Sequence, residues 1–249
     1  MLDGPAPVTS EPALRRATRN DLAGLPAEVA PFLLGARLRT VLDGEEVRIR
    51  ITEVEAYHGQ GTGPIADPGS HARMGRTARN ATMWGEPGHL YVYLSHGIHS
   101  CVNVVCGPEG VAGGVLLRAG EVELGVEAAA RRRRMTVPVP GEGVRGVFRD
   151  LARGPGRFGQ ASGLRHPVHD GIDAVGSGEK AGAVAELWLD DPRDDVARGP
   201  RVGVAGVAGT AAFPWRFWID GDPTVSPFRW GRGAADAARE RPGPPAVLD

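Results

Sequence analysis

Long hydrophobic runs, cysteine and lysine are all scarce in this sequence of 249 residues. No stretch approaches the roughly 18 consecutive apolar residues that a membrane-spanning helix requires. The first residues do not combine a basic segment with an apolar run, so they do not resemble a signal peptide. The two cysteines, Cys101 and Cys106, are too few for a disulfide framework and are consistent with a reducing compartment. We therefore expect a cytoplasmic protein that makes no contact with a membrane.

Lys180 is the only lysine in the chain, so the other basic side chains are arginines. The formal net charge of −1 argues against a nucleic-acid-binding protein, since such proteins usually carry a basic excess. The arginines are nevertheless unevenly distributed, because Arg131–Arg134 are consecutive and others cluster in one predicted loop. An exposed helix face is the simpler interpretation of Arg131–Arg134, and a phosphate contact is the alternative.

Glycine and proline are abundant, with 37 and 21 residues, which indicates many ordered loops rather than a low-complexity chain. We expect a single domain over residues 12–238, because we find no internal repeat and no linker that would divide the chain. Residues 1–11 are expected to form a disordered leader and residues 239–249 a disordered tail.

The apolar pattern predicts an α+β domain in which a curved, mostly antiparallel β-sheet is surrounded by helices. Strands are indicated by β-branched and aromatic runs bounded by glycine or proline, and helices by apolar residues at helical spacing. The predicted strands cover residues 47–57, 90–95, 98–105, 115–119, 187–190, 201–204 and 215–219, and the predicted helices lie within 20–36 and 121–135. Short connections between the strands favour antiparallel pairing.

Two carboxylates lie in the first long predicted strand, where apolar side chains are expected. Side chains alternate between the faces of a strand, so Glu53, Glu55 and Tyr57 continue the apolar row that begins at Val47. Carboxylates on such a row are costly unless they are paired, hydrogen-bonded or open to a water-lined pocket. The alternative is a bulge or strand end near Thr52 that turns both side chains outward. The pair thus suggests a site without proving one.

The predicted strands on either side of residue 96 should form a hairpin, with His96 at its exposed tip and Gly97 in the tight turn. His99, Cys101 and Cys106 follow closely, which raises the question of a metal site. Because alternation separates Cys106 from His99 and Cys101, four ligands cannot converge, and we expect no metal. Taken alone, His96 would be an ordinary solvated turn residue.

The connection between residues 58 and 86 is far longer than most connections in a compact domain, so it is either functional or flexible. Its side chains are polar in a way that suits contacts with phosphates and bases. They include His71, Arg73, Arg76, Arg79 and Asn80.

Several motifs, taken together and in order, resemble the alkyladenine (3-methyladenine) DNA glycosylase family. The motifs are Glu53-Val-Glu-Ala-Tyr57, Ser70-His71, Thr77-Ala-Arg-Asn80, Pro87-Gly88, Leu90-Tyr-Val-Tyr93, Gly97, Asn103 and Val115-Leu-Leu-Arg-Ala119. The similarity extends from about Leu22 to Ser226, and it includes the later motifs Arg201-Val-Gly-Val, Pro214-Trp-Arg-Phe-Trp and Pro223-Thr-Val-Ser226.

The resemblance implies a single mixed α/β domain that excises alkylated purines such as 3-methyladenine from duplex DNA. It implies neither a metal nor an organic cofactor, and we expect a monomer. In the implied reaction, Glu55 is the general base that activates a water molecule, and Arg118 helps to hold that water. A cationic methylated base is already a good leaving group, so one carboxylate can suffice for such lesions.

The resemblance also implies a pocket for the base that is flipped out of the duplex. Tyr57 and Tyr93 would stack on this base, and His71 would make a hydrogen bond to it. Asn103 would lie at the pocket floor, where it disfavours the guanine amino group. Aromatic walls suit a methylated purine, because a cation over a ring face is favourable by about 0.5–2 kcal/mol.

One position departs from the family pattern. The family usually carries a tyrosine at the hairpin tip, where the side chain intercalates into the gap left by the flipped nucleotide, and this chain has His96 there. Imidazole is smaller and can become charged near neutral pH, so we expect it to fill the gap less completely. Glycosylases that also cleave the backbone use an amine, usually lysine. Because Lys180 lies in a predicted surface loop, we expect a monofunctional enzyme.

Two other functions remain compatible with these residues. A catalytically weak lesion-binding protein would use the same pocket but would have no need for Glu55. A nucleoside or glycoside hydrolase would use Glu53 and Glu55 as an acid and base pair. Such a hydrolase would have no use for an intercalating hairpin.

Overall fold

A computed structural model describes residues 14–59, 66–136, 148–176 and 178–240. These residues form a twelve-stranded β-sheet with helices packed around it. The strands are β1 (Arg15–Arg16), β2 (Arg37–Leu42), β3 (Glu45–His58), β4 (His89–Ser95), β5 (His99–Val105), β6 (Gly113–Leu124), β7 (Ala152–Arg153), β8 (Ile172–Asp173), β9 (Glu179–Lys180), β10 (Ala183–Leu189), β11 (Val196–Gly199) and β12 (Arg216–Ile219). The α-helices are α1 (Pro26–Phe32), α2 (Val126–Arg132), α3 (Pro155–Ser162) and α4 (Ala234–Glu240), and 3₁₀ helices cover Asn20–Leu22, Ala81–Trp84 and Gly206–Gly209.

The sheet runs in the order β1-β10-β2-β3-β6-β5-β4-β8, and the pairings among its described strands are antiparallel. β3 is the longest strand and lies at the centre. On one edge it pairs first with β2 and then with β12, and on the other edge it pairs with β6. The predicted α+β class with an antiparallel sheet is confirmed.

Helices α1, α2 and α3 pack on the sheet, whereas α4 packs on the 3₁₀ helix Gly206–Gly209. α1 begins at Pro26, as Pro at the first turn favours, and the Glu28 carboxylate accepts a hydrogen bond of 2.8 Å from the Leu25 amide. α3 packs on β5, where a Cβ atom at Gly159 would lie 2.0 Å from the Ser100 carbonyl oxygen. Glycine is therefore required for this close contact, which supports the β4–β5 hairpin near its turn.

The structure contains strands that were not predicted, such as β2, and β10 begins at Ala183 rather than at residue 187. It also corrects two predicted elements. The helix predicted from residue 121 begins at Val126, because β6 continues to Leu124 and keeps the alternation of a strand, with Val122 buried between exposed neighbours. The strand predicted over residues 201–204 is wrong: these residues form a turn in which Arg201 is completely buried. Its side chain is used for bonds to other loops, as described below.

Some predictions fall at the ends of the chain. The predicted leader, residues 1–11, lies outside the described residues, and so do residues 241–249 of the predicted tail. Arg239 and Glu240, which begin that tail, are the last residues of α4. No helix within the described ranges is long and apolar enough to cross a bilayer.

Candidate active site

A bulge in β3 determines where its two carboxylates point. The pairing with β6 shifts register around Thr52, so Ile51 faces the apolar core before the shift and Val54 faces it afterwards. Glu53 and Glu55 therefore lie on the opposite face from the core. The bulge predicted as the alternative is present, but the face to which it turns the carboxylates is covered, and both residues are 0% exposed.

Glu53 is surrounded by donors from three parts of the chain. Its Oε1 accepts hydrogen bonds from Arg118 Nε at 3.0 Å, from Arg216 Nε at 2.7 Å and from the Ser226 hydroxyl at 3.0 Å. Its Oε2 accepts a bond of 2.7 Å from the Ser226 amide. These four hydrogen bonds hold the Glu53 carboxylate in place, so its role in the site is structural.

Glu55 is bound by three groups that also line a cavity. Its Oε2 accepts a bond of 2.7 Å from the Tyr57 hydroxyl and one of 3.2 Å from Arg118 Nη1. Its Oε1 accepts a bond of 2.6 Å from the Val202 amide. Each carboxylate oxygen has two acceptor positions, so Oε1 has one that these protein bonds leave available. Glu55 thus lies directly behind Tyr57, Arg118 and Val202, beneath the cavity.

The cavity has a volume of about 540 Å³ and is lined mainly by aromatic and small side chains. All three tyrosines of the chain line it. Tyr91 and Tyr93 stack with ring centroids 5.4 Å apart and an interplanar angle of 23°. The His71 ring meets Tyr93 edge-on at 4.5 Å. The structure therefore brings the predicted residues Tyr57, His71 and Tyr93 together and adds Tyr91, to which the sequence assigned no role in the pocket.

Burial controls the protonation of these rings. Loss of solvent raises the pKa of Tyr57 well above its usual value and raises the pKa of Tyr91 to about 12, so both keep their hydroxyl protons at neutral pH. The pKa of His71 is lowered, first by burial and then by the neighbouring Arg73 and Arg79. His71 is therefore neutral at pH 7 and adds no positive charge to the cavity.

Asn103 and Arg118 come from the adjacent strands β5 and β6. The Asn103 amide donates a bond of 3.0 Å to the Tyr91 carbonyl oxygen, which sets its orientation at the cavity wall. Arg118 occurs where the β3–β6 register shifts, and it bridges Glu53 and Glu55. Both residues line the cavity and are nearly buried.

The long predicted loop is organised by Asn80. Its Oδ1 accepts bonds from the Thr77 amide at 2.7 Å and the Thr77 hydroxyl at 3.0 Å. Its amide nitrogen donates to the carbonyl oxygens of His71 and Gly75 at 3.0 and 3.1 Å. Asn80 therefore positions the backbone that presents His71, and its side chain is fully used within the loop.

An ion pair with both side chains 0% exposed connects the loop to the segment that follows β11. Arg201 bonds both carboxylate oxygens of Asp67 at 2.7 Å and also donates to the carbonyl oxygens of Ala56 and Ala208. Its guanidinium carbon lies 4.6 Å from the centre of the Tyr57 ring. The pair holds residues 202–205, which line the cavity, against β3.

The hairpin tip lies beside the same cavity. His96 has a φ of 51° and Gly97 a φ of 70°, as the predicted tight turn requires. His96 is exposed and lines the cavity edge, and its Nδ1 lies 3.0 Å from the Ser95 hydroxyl. Ile98, on the other side of the tip, is 71% exposed. The tip therefore presents one imidazole and one apolar side chain.

Comparisons with known proteins show the family of this chain. The methylpurine-DNA glycosylase family model matches residues 21–223. A protein of Leifsonia xyli is 45% identical over 222 residues, which cover 89% of this chain and 97% of the relative. A protein of Streptomyces avermitilis is 47% identical over 214 residues, covering 85% and 91%, and one of Mycobacterium tuberculosis is 42% identical over 221 residues, covering 87% and 98%. All three are provisionally named 3-methyladenine DNA glycosylases.

The chain belongs to the methylpurine-DNA glycosylase family. The resemblance drawn from the sequence motifs is therefore confirmed, and so is the enzyme class, a DNA glycosylase. The family match ends at residue 223, so the segment that leads into α4 lies beyond it.

The sequence did not predict the contacts that hold the candidate site together. Arg216 and Ser226 fix Glu53, Asp67 pairs with Arg201, and the Val202 amide bonds Glu55. Except for Asp67, these residues belong to the motifs that carry the family resemblance. Membership in those motifs was the one sign in the sequence that they matter. A backbone amide gives no signal of its own, because its role depends only on the path of the chain.

The arginine tract does not form one exposed helix face, because Arg132 and Arg133 are half-buried. Arg131 pairs with Glu45, whereas Arg132 and Arg133 donate to backbone carbonyl oxygens near α3. These bonds join α2 to its neighbours.

Lys180 lies in β9, where it is exposed and donates to the Asp170 carbonyl oxygen, and it does not line the cavity. Among the described residues, no cluster of histidine, cysteine and carboxylate side chains could hold a metal ion.

His58 should make the glycosylase fold sensitive to acid. Burial against Trp215 lowers its pKa to about 4, and its ring nitrogens have no hydrogen-bond partner among the described residues. The unfolded chain binds this proton near pH 6.5 and the folded chain only near pH 4, so stability is complete above pH 6.5 and falls below it. We expect a loss of about 3 kcal/mol in the free energy of unfolding between these values.

This prediction is checked by urea denaturation between pH 8 and 4, comparing the native chain with His58→Leu. The variant should lose the part of the pH dependence that His58 contributes. Identical pH profiles for the two proteins would show that His58 does not cause the acid sensitivity.

Proposed function

We propose that this protein is a monofunctional glycosylase that hydrolyses the N-glycosidic bond of alkylated purines in duplex DNA, after the damaged nucleotide has been flipped out. The observation that carries the proposal is the convergence of three cavity-lining groups, Tyr57, Arg118 and the Val202 amide, on the buried carboxylate of Glu55. This arrangement places one proton acceptor, the Glu55 carboxylate, behind an aromatic pocket that could hold a base. The proposed reaction would initiate base excision repair.

In the proposed reaction Glu55 is the general base. A water molecule that donates to the available position of Oε1 would be directed at C1′ of the sugar, and Arg118 would hold its oxygen. As the C1′–N bond breaks, the base leaves with the bonding electrons, the water oxygen bonds C1′, and its proton passes to Glu55. Glu55 is fully covered in the structure, so a small displacement of Tyr57 on base binding would open it to the pocket.

The pocket suits a positively charged purine. Tyr91 and Tyr93 offer neutral rings over which a cationic base is stabilised, and the uncharged His71 can donate a hydrogen bond without repelling it. Arg201 covers one face of Tyr57, so stacking by Tyr57 uses the other. Asn103, held by the Tyr91 carbonyl, would disfavour the amino group of guanine.

His96 is proposed to intercalate where the base has left the stack. Its position at an exposed tip beside the pocket supports this role, and the neighbouring Ile98 adds an apolar surface that could pack against base edges. Because imidazole is small, the stabilisation of the flipped state should be weaker than with a larger ring.

The structure also bears on the alternative functions. Glu53 is bonded to two arginines and to Ser226, so it has little capacity left to act as the acid in a pair with Glu55. This geometry disfavours a glycoside hydrolase with two catalytic carboxylates. A lesion-binding protein would not need the bonds that hold Glu55 beneath the pocket.

The test is base release from duplexes that contain 3-methyladenine, 7-methylguanine or hypoxanthine, compared with release from free methylated nucleosides. We expect release from duplexes with cationic lesions, leaving an abasic site and an intact backbone. Equal or faster release from free nucleosides would favour a nucleoside hydrolase. Strand cleavage by the purified protein would contradict the monofunctional assignment.

A further inference from the structure

Residues 227–233, which we call the rim segment, lie beyond the part of the chain that matches the family model. The segment places two aromatic side chains on the surface, Phe228 at 37% and Trp230 at 47% exposure. Their rings meet edge-to-face with centroids 4.8 Å apart. Exposed apolar patches often mark binding sites, and aromatic rings are enriched at interfaces, so this surface is a candidate binding site.

The aromatic rings alternate with arginines. Arg229 and Arg232 are both exposed, and neither guanidinium makes an ion pair or hydrogen bond with another described residue. Most other arginines of the described chain are paired with carboxylates or carbonyl oxygens, as Arg118 and Arg201 are. The rim segment thus combines two available cations with two available ring faces.

The backbone fixes this segment beside the pocket. The Arg229 carbonyl oxygen accepts a bond of 2.9 Å from the Gly203 amide, and the Arg232 carbonyl oxygen accepts one of 3.0 Å from the Gly206 amide. A Cβ atom at Gly231 would lie 2.1 Å from the Val204 carbonyl oxygen, so only glycine allows this contact. Because residues 202–205 line the pocket, the rim segment lies immediately behind its edge.

The segment is also connected to the carboxylate network. Ser226, directly before it, is bonded to Glu53 through both its amide and its hydroxyl, and Glu53 is bonded to Arg118. The segment is therefore anchored at both ends and is presented as a preformed surface. A preformed surface loses little conformational entropy when a ligand binds.

We propose that the rim segment is a second DNA-contact surface, in which Phe228 and Trp230 pack on nucleotides flanking the flipped one in the damaged strand and Arg229 and Arg232 contact its phosphates. This inference rests on the proposed function. The alternation of ring and cation fits a strand that alternates base and phosphate, and aromatic stacking does not depend on base identity.

The test measures the affinity of the Glu55→Gln protein for a duplex with one stable lesion, with and without Trp230→Ala. Loss of one stacked ring should weaken binding about tenfold. Trp230→Phe should restore most of the affinity, since it keeps an aromatic face. Phe32→Ala is the matched control, because Phe32 is also exposed, at 55%, but does not line the pocket, and it should not change the affinity.

The arginines are tested by the salt dependence of the same binding reaction. Arg229→Ala with Arg232→Ala should reduce the slope of log affinity against log salt by about one to two, as expected for the loss of two phosphate contacts. Unchanged affinity in Trp230→Ala and an unchanged slope in the double variant would overturn the proposal. Such a failure differs from failure of the proposed function, which would appear as absent base release by the native chain.

A final measurement separates a contact from an indirect structural effect. In the native background, the base-release rate of Trp230→Ala should be low at low enzyme concentration and should recover when the enzyme is in large excess. A loss that persists at saturating enzyme would mean that the segment acts through Ser226 and Glu53 on the active site, and it would overturn the assignment as a DNA contact.

Discussion

Replacing Glu55 by glutamine should slow base release about 1,000-fold, within the usual contribution of a general base. Glutamine has nearly the same shape, but it cannot take a proton from water at neutral pH. Its amide nitrogen must also face either the Val202 amide or the Tyr57 and Arg118 donors, which already donate to Glu55. One donor therefore loses its acceptor, and the fold should lose about 1–3 kcal/mol.

The measurement is single-turnover release of base from a duplex with a cationic lesion, together with duplex affinity. Affinity should be largely kept, because the stacking rings are unchanged. Glu127→Gln is the matched control, since Glu127 is exposed on α2, and its rate should equal that of the native chain. Base release at the native rate by Glu55→Gln would remove Glu55 from the mechanism and favour a different base.

Replacing Arg201 by methionine should lower the free energy of unfolding by about 3–5 kcal/mol, the cost of breaking a buried ion pair by removing one partner. Asp67 would remain completely buried, and among the described residues its remaining donors would be the amides of His58 and Gly69. For a domain of this size, such a loss lowers the melting temperature by roughly 10 °C. Base release should fall as well, because residues 202–205 would no longer be held against β3.

Thermal and urea denaturation check this prediction. Arg198→Met is the matched control, because Arg198 is exposed and makes no ion pair with another described residue, so its stability should be close to native. The double variant Arg201→Met with Asp67→Leu should recover part of the loss, since it removes the uncompensated charge. A native melting temperature for Arg201→Met alone would show that the pair does not stabilise the fold.

The elements that position the site follow from short-range patterns. The alternation of β3 and of the two hairpin strands was visible in the sequence, because a strand shows its period over few residues. The exposed tip at His96 followed from Gly97, which supplies the positive φ of the turn. By contrast, the helix predicted from residue 121 began too early, because apolar spacing at a strand end can also fit a helix.

Other features required contacts between distant parts of the chain. The turn at residues 201–204 was misread as a strand, since valines favour strands, whereas the buried bonds of Arg201 to Asp67 hold it as a loop. The tract Arg131–Arg134 gave no indication that two of its members bond backbone carbonyl oxygens. Those acceptors are provided by segments around residues 151 and 162, which no local pattern connects with the tract.

The motifs alone were enough to name the family and to gather Glu55, Tyr57, His71 and Tyr93 into one expected pocket, because residue types and their spacing carry the chemistry of a site. The different roles of Glu53 and Glu55 could be read only from the folded chain. Both carboxylates lie on one row of one strand, and the bulge at Thr52 moves them together. Their hydrogen-bond donors distinguish them. Arg216 and Ser226, which lie late in the chain, bond Glu53. Glu55 is bonded instead by Tyr57, which lines the pocket.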